Sequence, residues 1–353
     1  MNTLLITPED IQKVVNRVGI DTLMDIMIAK LTEAFKEASL GIGELRPRAG
    51  FCNQQSPSVL EWMPYKQHID QSVSIKVVAY QPRNISVGLP TIVASTSLYD
   101  STTGHLVALS DGVFLTALRT GAASAIVSSI LAHPNSITVG LVGAGAQAIT
   151  QLHALSRVFP LLSVLVYDLN RDTAQSFLSR AAFMNLPVKV APLDEVEREA
   201  DILCTATTVA QGKGAVIIGE SLKPHVHINA IGSDLPGKTE LPLSLLKTSL
   251  VCPDFPEQAK FEGECQQLTT EEIGPDLLKL VRRPEDFHIW REQRTVFDST
   301  GMALEDHVAL VSLLKLVQEY GLGQLVQLEY FPTDPHNPYD MIKNSMPIPL
   351  VTS

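Results

Sequence analysis

The chain has 353 residues, of which 45% are hydrophobic and 18% charged, a composition typical of a globular protein large enough for two domains. Its 27 basic and 38 acidic residues give a formal net charge of −11, which disfavours nucleic acid and anionic membranes as partners because both repel an acidic surface. No apolar run approaches the roughly 18 residues of a membrane span, no signal peptide is recognisable, and the four cysteines lack metal-ligand or CxxC spacing, so we expect a cytoplasmic protein with reduced thiols.

The pattern of the first third of the chain predicts helices followed by an antiparallel sheet. A strand-like segment at residues 3–6 precedes Thr7-Pro8, which predicts the start of a helix because a hydroxyl cap is followed by proline in the first turn. A second helix is predicted around residues 24–39. Alternating apolar residues then predict antiparallel strands in the ranges 58–63, 72–80 and 91–99, with a hairpin turn at 100–104.

The pattern changes near residue 118 to repeated β-α units. A helix rich in small residues is predicted over 120–131, and a continuous apolar strand over 137–143. Such a strand is typical of a parallel sheet buried on both faces. Further apolar strands at 163–167, 201–205 and 227–231 alternate with helical stretches, which predicts a doubly wound sheet. A last helix is predicted over 303–320.

A glycine-rich turn between a strand and a helix predicts a dinucleotide site. In the pattern Gly143-x-Gly145-x-x-Ala148, the first glycine permits a tight turn, and the second allows the backbone to approach a pyrophosphate. The N-terminus of the following helix favours the anion. The residues assigned to the cofactor here are Gly143, Ala144, Gly145, Ala146 and Gln147.

An acidic residue follows at the spacing that a ribose-binding carboxylate requires. Asp168 lies 23 residues after Gly145, at the end of the next predicted strand. A carboxylate there repels a 2′-phosphate, which favours NAD over NADP, although Arg171 lies near enough in sequence to pair with such a phosphate.

Three further segments carry a resemblance to a known family. They are Leu118-Arg-Thr-Gly-Ala-Ala-Ser124, Gly232-Ser-Asp-Leu-Pro-Gly-Lys-Thr-Glu-Leu241 and Val296-Phe-Asp-Ser-Thr-Gly301 with Glu305-Asp306. Together with the glycine motif, they resemble the ornithine cyclodeaminase/mu-crystallin family over nearly the whole chain. The Asp234-containing string and Glu262-Gly-Glu264 with Gln266-Gln-Leu268 resemble its ornithine cyclodeaminase branch.

The resemblance implies an architecture and an activity. The fold class is α/β, with a Rossmann-type doubly wound dinucleotide domain (residues 120–304) inserted in an α+β substrate-binding and dimerisation domain (residues 1–119 and 305–353). The implied protein is a homodimer. The implied reaction converts L-ornithine to L-proline and ammonium, with NAD recycled in each turnover.

The resemblance also implies roles for individual residues. Asp234 corresponds to the catalytic aspartate that takes a proton from the distal amine of a small basic amino acid. The substrate-binding positions are Arg48, Lys76, Arg119, Thr300 and, as a weaker candidate, Glu61; Arg46 competes with Arg48. Further cofactor positions are Thr91, Thr207, Ala230, Ile231, Gly232, Lys238 and Ser299. No metal site is expected, because the histidines lack ligand spacing.

Some segments depart from the family pattern, and they leave alternatives open. Gly121, the stretch 209–215 and the stretch 80–84 lie close to the expected site and bear on pocket shape. Lysine with pipecolate as product is an alternative substrate, because one methylene changes binding by only about 1–3 kcal/mol. A net imine reductase or amino-acid dehydrogenase on the same fold is a second alternative. A ligand-binding protein without turnover is a third.

Overall fold

The computed structural model describes residues 1–53 and 58–344. Within them, an eight-stranded and a seven-stranded sheet are surrounded by helices. The strands are β1 (Thr3–Ile6), β2 (Glu44–Leu45), β3 (Ala49–Cys52), β4 (Val59–Gln67), β5 (Ser72–Tyr80), β6 (Ile92–Asp100), β7 (Leu106–Asp111), β8 (Thr138–Val142), β9 (Ser163–Tyr167), β10 (Val188–Val190), β11 (Ile202–Thr205), β12 (His227–Ala230), β13 (Leu250–Pro253), β14 (Thr295–Asp298) and β15 (Gln324–Val326). The α-helices are α1 (Pro8–Val18), α2 (Ile20–Ala38), α3 (Val113–Leu131), α4 (Ala146–Val158), α5 (Arg171–Arg180), α6 (Leu193–Glu199), α7 (Leu243–Leu246), α8 (Pro256–Ala259), α9 (Leu277–Arg282) and α10 (Ala303–Glu319).

The first sheet is built from the two ends of the chain. Its order is β15-β1-β7-β6-β5-β4-β2, with β3 also paired to β4. All pairs are antiparallel except β1 with β7. Helix α10 packs across β4, β5 and β6, so the inward side chains of these strands are buried. This cover explains why an alternating strand such as β5 carries a fully buried lysine at position 76.

The second sheet is parallel throughout and doubly wound. Its order is β10-β9-β8-β11-β12-β14-β13, so β8, the first of these strands along the chain, lies beside the central strand β11. The order reverses between β8 and β11. In open α/β sheets, ligands bind outside the carboxyl ends of the strands at such a reversal. The loops after β8, β9, β11, β12 and β14 all lie at this edge.

Helix α3 connects the two sheets and forms the centre of the largest core. By length and mean composition it resembles a membrane span, but 78% of its apolar window is buried inside the fold, as in the core helix of a globular protein. It packs against α2, α4 and α10. Gly121 permits the contact with α4, since a Cβ there would lie 2.3 Å from the carbonyl oxygen of Thr150.

The predicted elements are found, with shifted ends. Thr7 caps α1 in a capping box with Asp10, and the hairpin predicted at 100–104 joins β6 to β7. The helix predicted to begin at Thr120 begins at Val113, because no glycine or proline interrupts the apolar residues in between. The predicted domain boundaries remain a prediction; the sheets divide the chain into β1–β7 with β15, and β8–β14.

Candidate active site

The glycine-rich turn lies at the carboxyl end of β8. Gly143 has φ of +94°, and a Cβ there would lie 2.5 Å from the carbonyl oxygen of Ala206. Gly145 caps α4 with an extended backbone, and no atom lies within 4 Å of where its Cβ would be. The first glycine is therefore required by the fold itself. The second borders open space at a helix N-terminus, which suits a phosphate group.

Asp168 lies beside this turn. Its Oδ2 accepts the backbone N–H of Ala144 at 2.8 Å, and its Oδ1 accepts that of Asn170 at 2.8 Å. The helix that follows, α5, is capped by Asn170 rather than by Asp168. Arg180 donates to the carbonyl of Ala144 at 2.7 Å, whereas Arg171 is exposed. The carboxylate thus faces the glycine turn.

A buried carboxylate, that of Glu240, joins two of the loops predicted to line the cofactor. It accepts hydrogen bonds from the backbone N–H groups of Thr207 (2.7 Å) and Gly232 (2.8 Å) and from the hydroxyls of Thr205 (2.7 Å) and Thr207 (2.6 Å). Burial raises the pKa of Glu240. Glu240 lies in the string 232–241, whose pattern predicted no role for it.

The remaining predicted cofactor positions surround the same edge. Ala230 is the last residue of β12, and Ile231 and Gly232 follow it. The backbone N–H of Ser299 donates to the carbonyl of Ala230 at 3.0 Å. The hydroxyl of Ser299 is buried and has no hydrogen-bond partner among the residues described. Thr91 immediately precedes β6, whose Ile92 packs against the cluster of Val59, Tyr80 and Leu235.

Asp234 follows β12 and lies where the two sheets meet. Leu235 anchors its loop in a small cluster with Val59 and Tyr80 of the first sheet. The Asp234 side chain is 27% exposed, and its Oδ1 lies 2.8 Å from Nζ of Lys238. That ammonium lies 5.0 Å from the centre of the Tyr80 ring. Lys238, predicted as a cofactor position, therefore contacts the predicted catalytic residue directly.

Arg48 points into the interior, whereas Arg46 does not. The guanidinium of Arg48 lies 3.0 Å from Glu262 through Nε and 3.4 Å from Glu61 through Nη1. Its Nη2 donates to the carbonyls of Thr300 and Gly301. The Arg46 side chain is 67% exposed and pairs only with Glu44 within the described part of the chain. Of the two, Arg48 is therefore the inward residue, and its role as a carboxylate ligand remains a prediction.

Lys76 and Arg119 are two further cations, and both are buried. Both contact Asp306, Lys76 through Nζ at 2.7 Å and Arg119 through Nε at 3.1 Å. Arg119 also lies 2.6 Å from Glu305 through Nη1. Burial and the neighbouring charge of Arg119 lower the pKa of Lys76 to about 8. The structure therefore brings together three predicted cations from β5, α3 and the segment before β3.

Buried acids accompany these cations, and sequence reasoning missed them. No role was predicted for Glu262, Glu305 or Asp306, although all three lie in the motifs that carry the family resemblance. Asp254 lies outside those motifs. Burial raises the pKa of Glu262 to about 8 and that of Glu305 to about 7. The pKa of Arg48 is raised although burial opposes its charge, because Glu262 and Glu61 lie close to it. The three predicted cations therefore each lie beside acidic side chains.

Two of the segments that depart from the family pattern support the Asp234 loop. Gln211 donates through its side chain to the carbonyl of Pro236 at 2.7 Å, and the N–H of Gly212 donates to that of Gly237 at 2.7 Å. The stretch 80–84 supplies Tyr80 beside Lys238 and then enters a short 3-10 helix over Pro82–Val87. No group of three or more metal-ligating side chains occurs within residues 1–53 and 58–344.

Comparison with known proteins supplies independent evidence. The sequence model of the ornithine cyclodeaminase/mu-crystallin family matches residues 9–321. The L-lysine cyclodeaminase of Streptomyces rapamycinicus is 43% identical over 346 residues, which cover 97% of this chain and 100% of that protein. The ornithine cyclodeaminase of Agrobacterium tumefaciens is 30% identical over 96% of this chain and 93% of that protein.

Solved structures agree with the sequence relatives. A lysine cyclodeaminase studied for recognition of L-lysine, L-ornithine and L-2,4-diaminobutyric acid superposes with a TM-score of 0.93 at 45% identity, covering 96% of this chain and 99% of that one. An archaeal alanine dehydrogenase dimer with bound NAD gives a TM-score of 0.84 at 31% identity, covering 93% and 100%. The α/β fold class predicted from the sequence is confirmed. The chain belongs to the ornithine cyclodeaminase/mu-crystallin family.

Proposed function

We propose that the protein is a diamino-acid cyclodeaminase that converts L-lysine to L-pipecolate and ammonium, with NAD regenerated in each turnover. The observation that carries the proposal is Asp234, a partly exposed carboxylate whose charge acts on the mostly buried Arg48, with Lys76 and Arg119 buried in the same region. The lysine alternative is preferred over ornithine because the relatives at 43% and 45% identity are lysine cyclodeaminases, whereas the ornithine cyclodeaminase is 30% identical.

The cations are suited to an amino-acid carboxylate. In the proposal, Arg48 and Arg119 present N–H donors, and Lys76 adds a point charge. Nη2 of Arg119 makes no hydrogen bond to any described residue, and Nη1 of Arg48 has only the 3.4 Å contact with Glu61. These are the donors that we assign to the substrate. Asp306 orients Lys76 and Arg119, and Glu305 also orients Arg119.

The residues around the glycine turn fit NAD. Open space over Gly145 suits the pyrophosphate, and Asp168 suits a ribose hydroxyl and repels a 2′-phosphate. The unpartnered Ser299 hydroxyl offers a hydrogen bond to the nicotinamide end. When bound, NAD supplies a reversible hydride acceptor for the α-carbon.

Asp234 acts in this proposal as the general base. Its carboxylate holds the distal ammonium and accepts one proton from it, so that the neutral amine attacks the α-carbon. The new C–N bond closes the ring, and the α-nitrogen departs as ammonium. Lys238 keeps the carboxylate in place through the 2.8 Å ion pair. Glu61 is close enough to Arg48 to contribute to the acidic side of the pocket.

Product analysis with competing substrates tests the proposal. The purified protein is incubated with NAD and with L-lysine, L-ornithine or both, and products are identified by mass spectrometry. We expect pipecolate, with kcat/KM for lysine at least about tenfold above that for ornithine, the effect of one well-accommodated methylene. A higher kcat/KM for ornithine would favour proline formation instead. Stoichiometric NADH formation would favour a dehydrogenase.

A second copy of the chain is the protein partner that we propose. The outer face of the first sheet carries exposed apolar side chains on neighbouring strands, with Phe51 opposite Leu60 and Trp62 opposite Val77. Such a patch is typical of an interaction surface, and the archaeal relative described above is a dimer. Light scattering should give the mass of two chains, and Trp62→Glu should shift it toward one. A monomeric wild-type protein would contradict this.

A further inference from the structure

One face of the segment around α8 consists of buried polar side chains. Asp254, Gln258 and Glu262 are spaced four residues apart and are 1%, 4% and 3% exposed, respectively. Backbone hydrogen bonds from Ala259 to Phe255 and from Glu262 to Gln258 continue the helical turn beyond α8. Residues four apart lie on the same side of a helical turn, so the three side chains project in one direction.

These three side chains all contact Arg48 or the loop of Thr300 and Gly301. Gln258 accepts the backbone N–H of Arg48 at 3.3 Å and donates to the hydroxyl of Thr300 (2.7 Å) and the carbonyl of Gly301 (2.9 Å). Asp254 accepts the hydroxyl of Thr300 at 3.0 Å and the N–H of Gly301 at 2.5 Å. The hydroxyl of Thr300 is therefore fixed as a donor to Asp254 and an acceptor from Gln258.

Glu262 completes the arrangement on the guanidinium itself. Its carboxylate lies 3.0 Å from Nε of Arg48, while Nη2 is used by the two loop carbonyls. Two of the three nitrogens of the guanidinium are thus held by protein groups at short range. Nη1, with its 3.4 Å contact to Glu61, is the nitrogen left to face a ligand.

We propose that Asp254, Gln258 and Glu262 are positioning residues that hold Arg48 and Thr300 in the orientation that receives the substrate carboxylate. This inference rests on the proposed function. Glu262 is the member that acts on the guanidinium directly, because its carboxyl oxygen Oε1 lies 3.0 Å from Nε of Arg48. Glu262 need not touch the substrate. Its effect passes through Arg48.

Replacement of Glu262 by glutamine tests the proposal with little change in shape. At about pH 9, above the pKa of Glu262, we expect Glu262→Gln to raise KM for L-lysine by about tenfold, because a neutral amide attracts the guanidinium less than a carboxylate does. The variant should leave kcat and the Kd of NAD within about twofold. Glu257→Gln is the matched control: Glu257 lies in the neighbouring α8, undergoes the same substitution and is exposed. It should leave all three constants unchanged.

A second variant and a stability measurement distinguish loss of substrate binding from loss of folding. Gln258→Met removes the hydrogen bonds to Arg48 and Thr300 at nearly constant volume and should also raise KM for L-lysine more than the Kd of NAD. Thermal unfolding is measured for each variant. Unchanged KM in both variants overturns the proposal, as does a parallel loss of substrate affinity and NAD affinity.

The test distinguishes this inference from the proposed function. If the wild-type protein turns over neither L-lysine nor L-ornithine, the proposed function fails. In that case, calorimetric titration of the NAD-loaded proteins with L-lysine still compares the Kd of L-lysine between the variants. A Kd for L-lysine about tenfold weaker in Glu262→Gln than in Glu257→Gln then supports the positioning role, and equal values overturn it.

Discussion

The proposed nucleotide side and the proposed substrate side of the site are built in different ways. On the nucleotide side, one strand and one turn bring Gly143 and Gly145 to the N-terminus of α4, and Asp168 follows at the end of the next strand. On the substrate side, Arg48, Lys76 and Arg119 come from three separate elements of the chain. Backbone geometry dominates the first side, and buried charge dominates the second.

This difference has an energetic consequence. A backbone site depends on the conformation of its turn and on close approach of the ligand, whereas buried charges are stable only with partners, since unpaired ions in an interior cost several kcal/mol each. The substrate side accordingly contains Glu262, Glu305 and Asp306 beside its cations. Changes on one side should therefore leave the other side's ligand largely unaffected, and the following variants test that separation.

The largest effect is expected at Asp234. Asp234→Asn removes the proton acceptor at constant shape, and kcat should fall by about 100- to 10,000-fold, the range of general base catalysis. The Kd of NAD, measured by calorimetry, should stay within about twofold because the side chain lies on the substrate side. Unchanged kcat would remove Asp234 from the mechanism, and lost NAD affinity would break the separation between the sides.

The two glycines of the turn should respond differently to alanine. The added methyl group of Gly145→Ala would lie in open space at an ordinary φ, so thermal unfolding should be unchanged. NAD should bind roughly tenfold to a hundredfold more weakly, because the methyl group hinders close approach of the pyrophosphate. Gly143→Ala combines a φ of +94° with a 2.5 Å approach to the Ala206 carbonyl and should lower the stability of the fold itself. Equal stability losses in both variants would show that Gly145 is also structural.

The substrate side should depend on pH through Lys76. The pKa of Lys76 is lowered to about 8, so its ammonium is charged below that pH and neutral above it. KM for lysine should therefore rise by about tenfold for each pH unit above the pKa. Lys76→Arg stays charged and should flatten this rise. The substrate's own titration is common to both proteins, so identical profiles would exclude Lys76 as the cause.

The smallest effect is expected at Arg46. Its exposed pair with Glu44 contributes little, so Arg46→Gln should change KM for lysine by less than about twofold. Arg48→Gln should raise the same KM by about a hundredfold, because a charge-assisted contact to the carboxylate is lost. A larger effect at Arg46 than at Arg48 would reverse the assignment of the inward arginine.

The same contrast explains how much could be predicted from the sequence. The glycine turn, Asp168 and the parallel strands depend on neighbours in the chain, so local patterns predicted them. The partners of the cations depend on contacts such as Arg119 with Glu305, which are 186 residues apart, and no local pattern encodes such pairs. The resemblance to a known family supplied Arg48, Lys76 and Arg119. It did not reveal the face formed by Asp254, Gln258 and Glu262.

The fate of the two substrate nitrogens tests the central claim most directly. L-lysine carrying a heavy nitrogen isotope at the α-amine is incubated with the protein and a trace of NAD, and both products are analysed by mass spectrometry. If Asp234 frees the distal amine for attack, the heavy label leaves as ammonium, pipecolate is unlabelled and NADH does not accumulate. Labelled pipecolate, or NADH formed in step with product, would contradict the account.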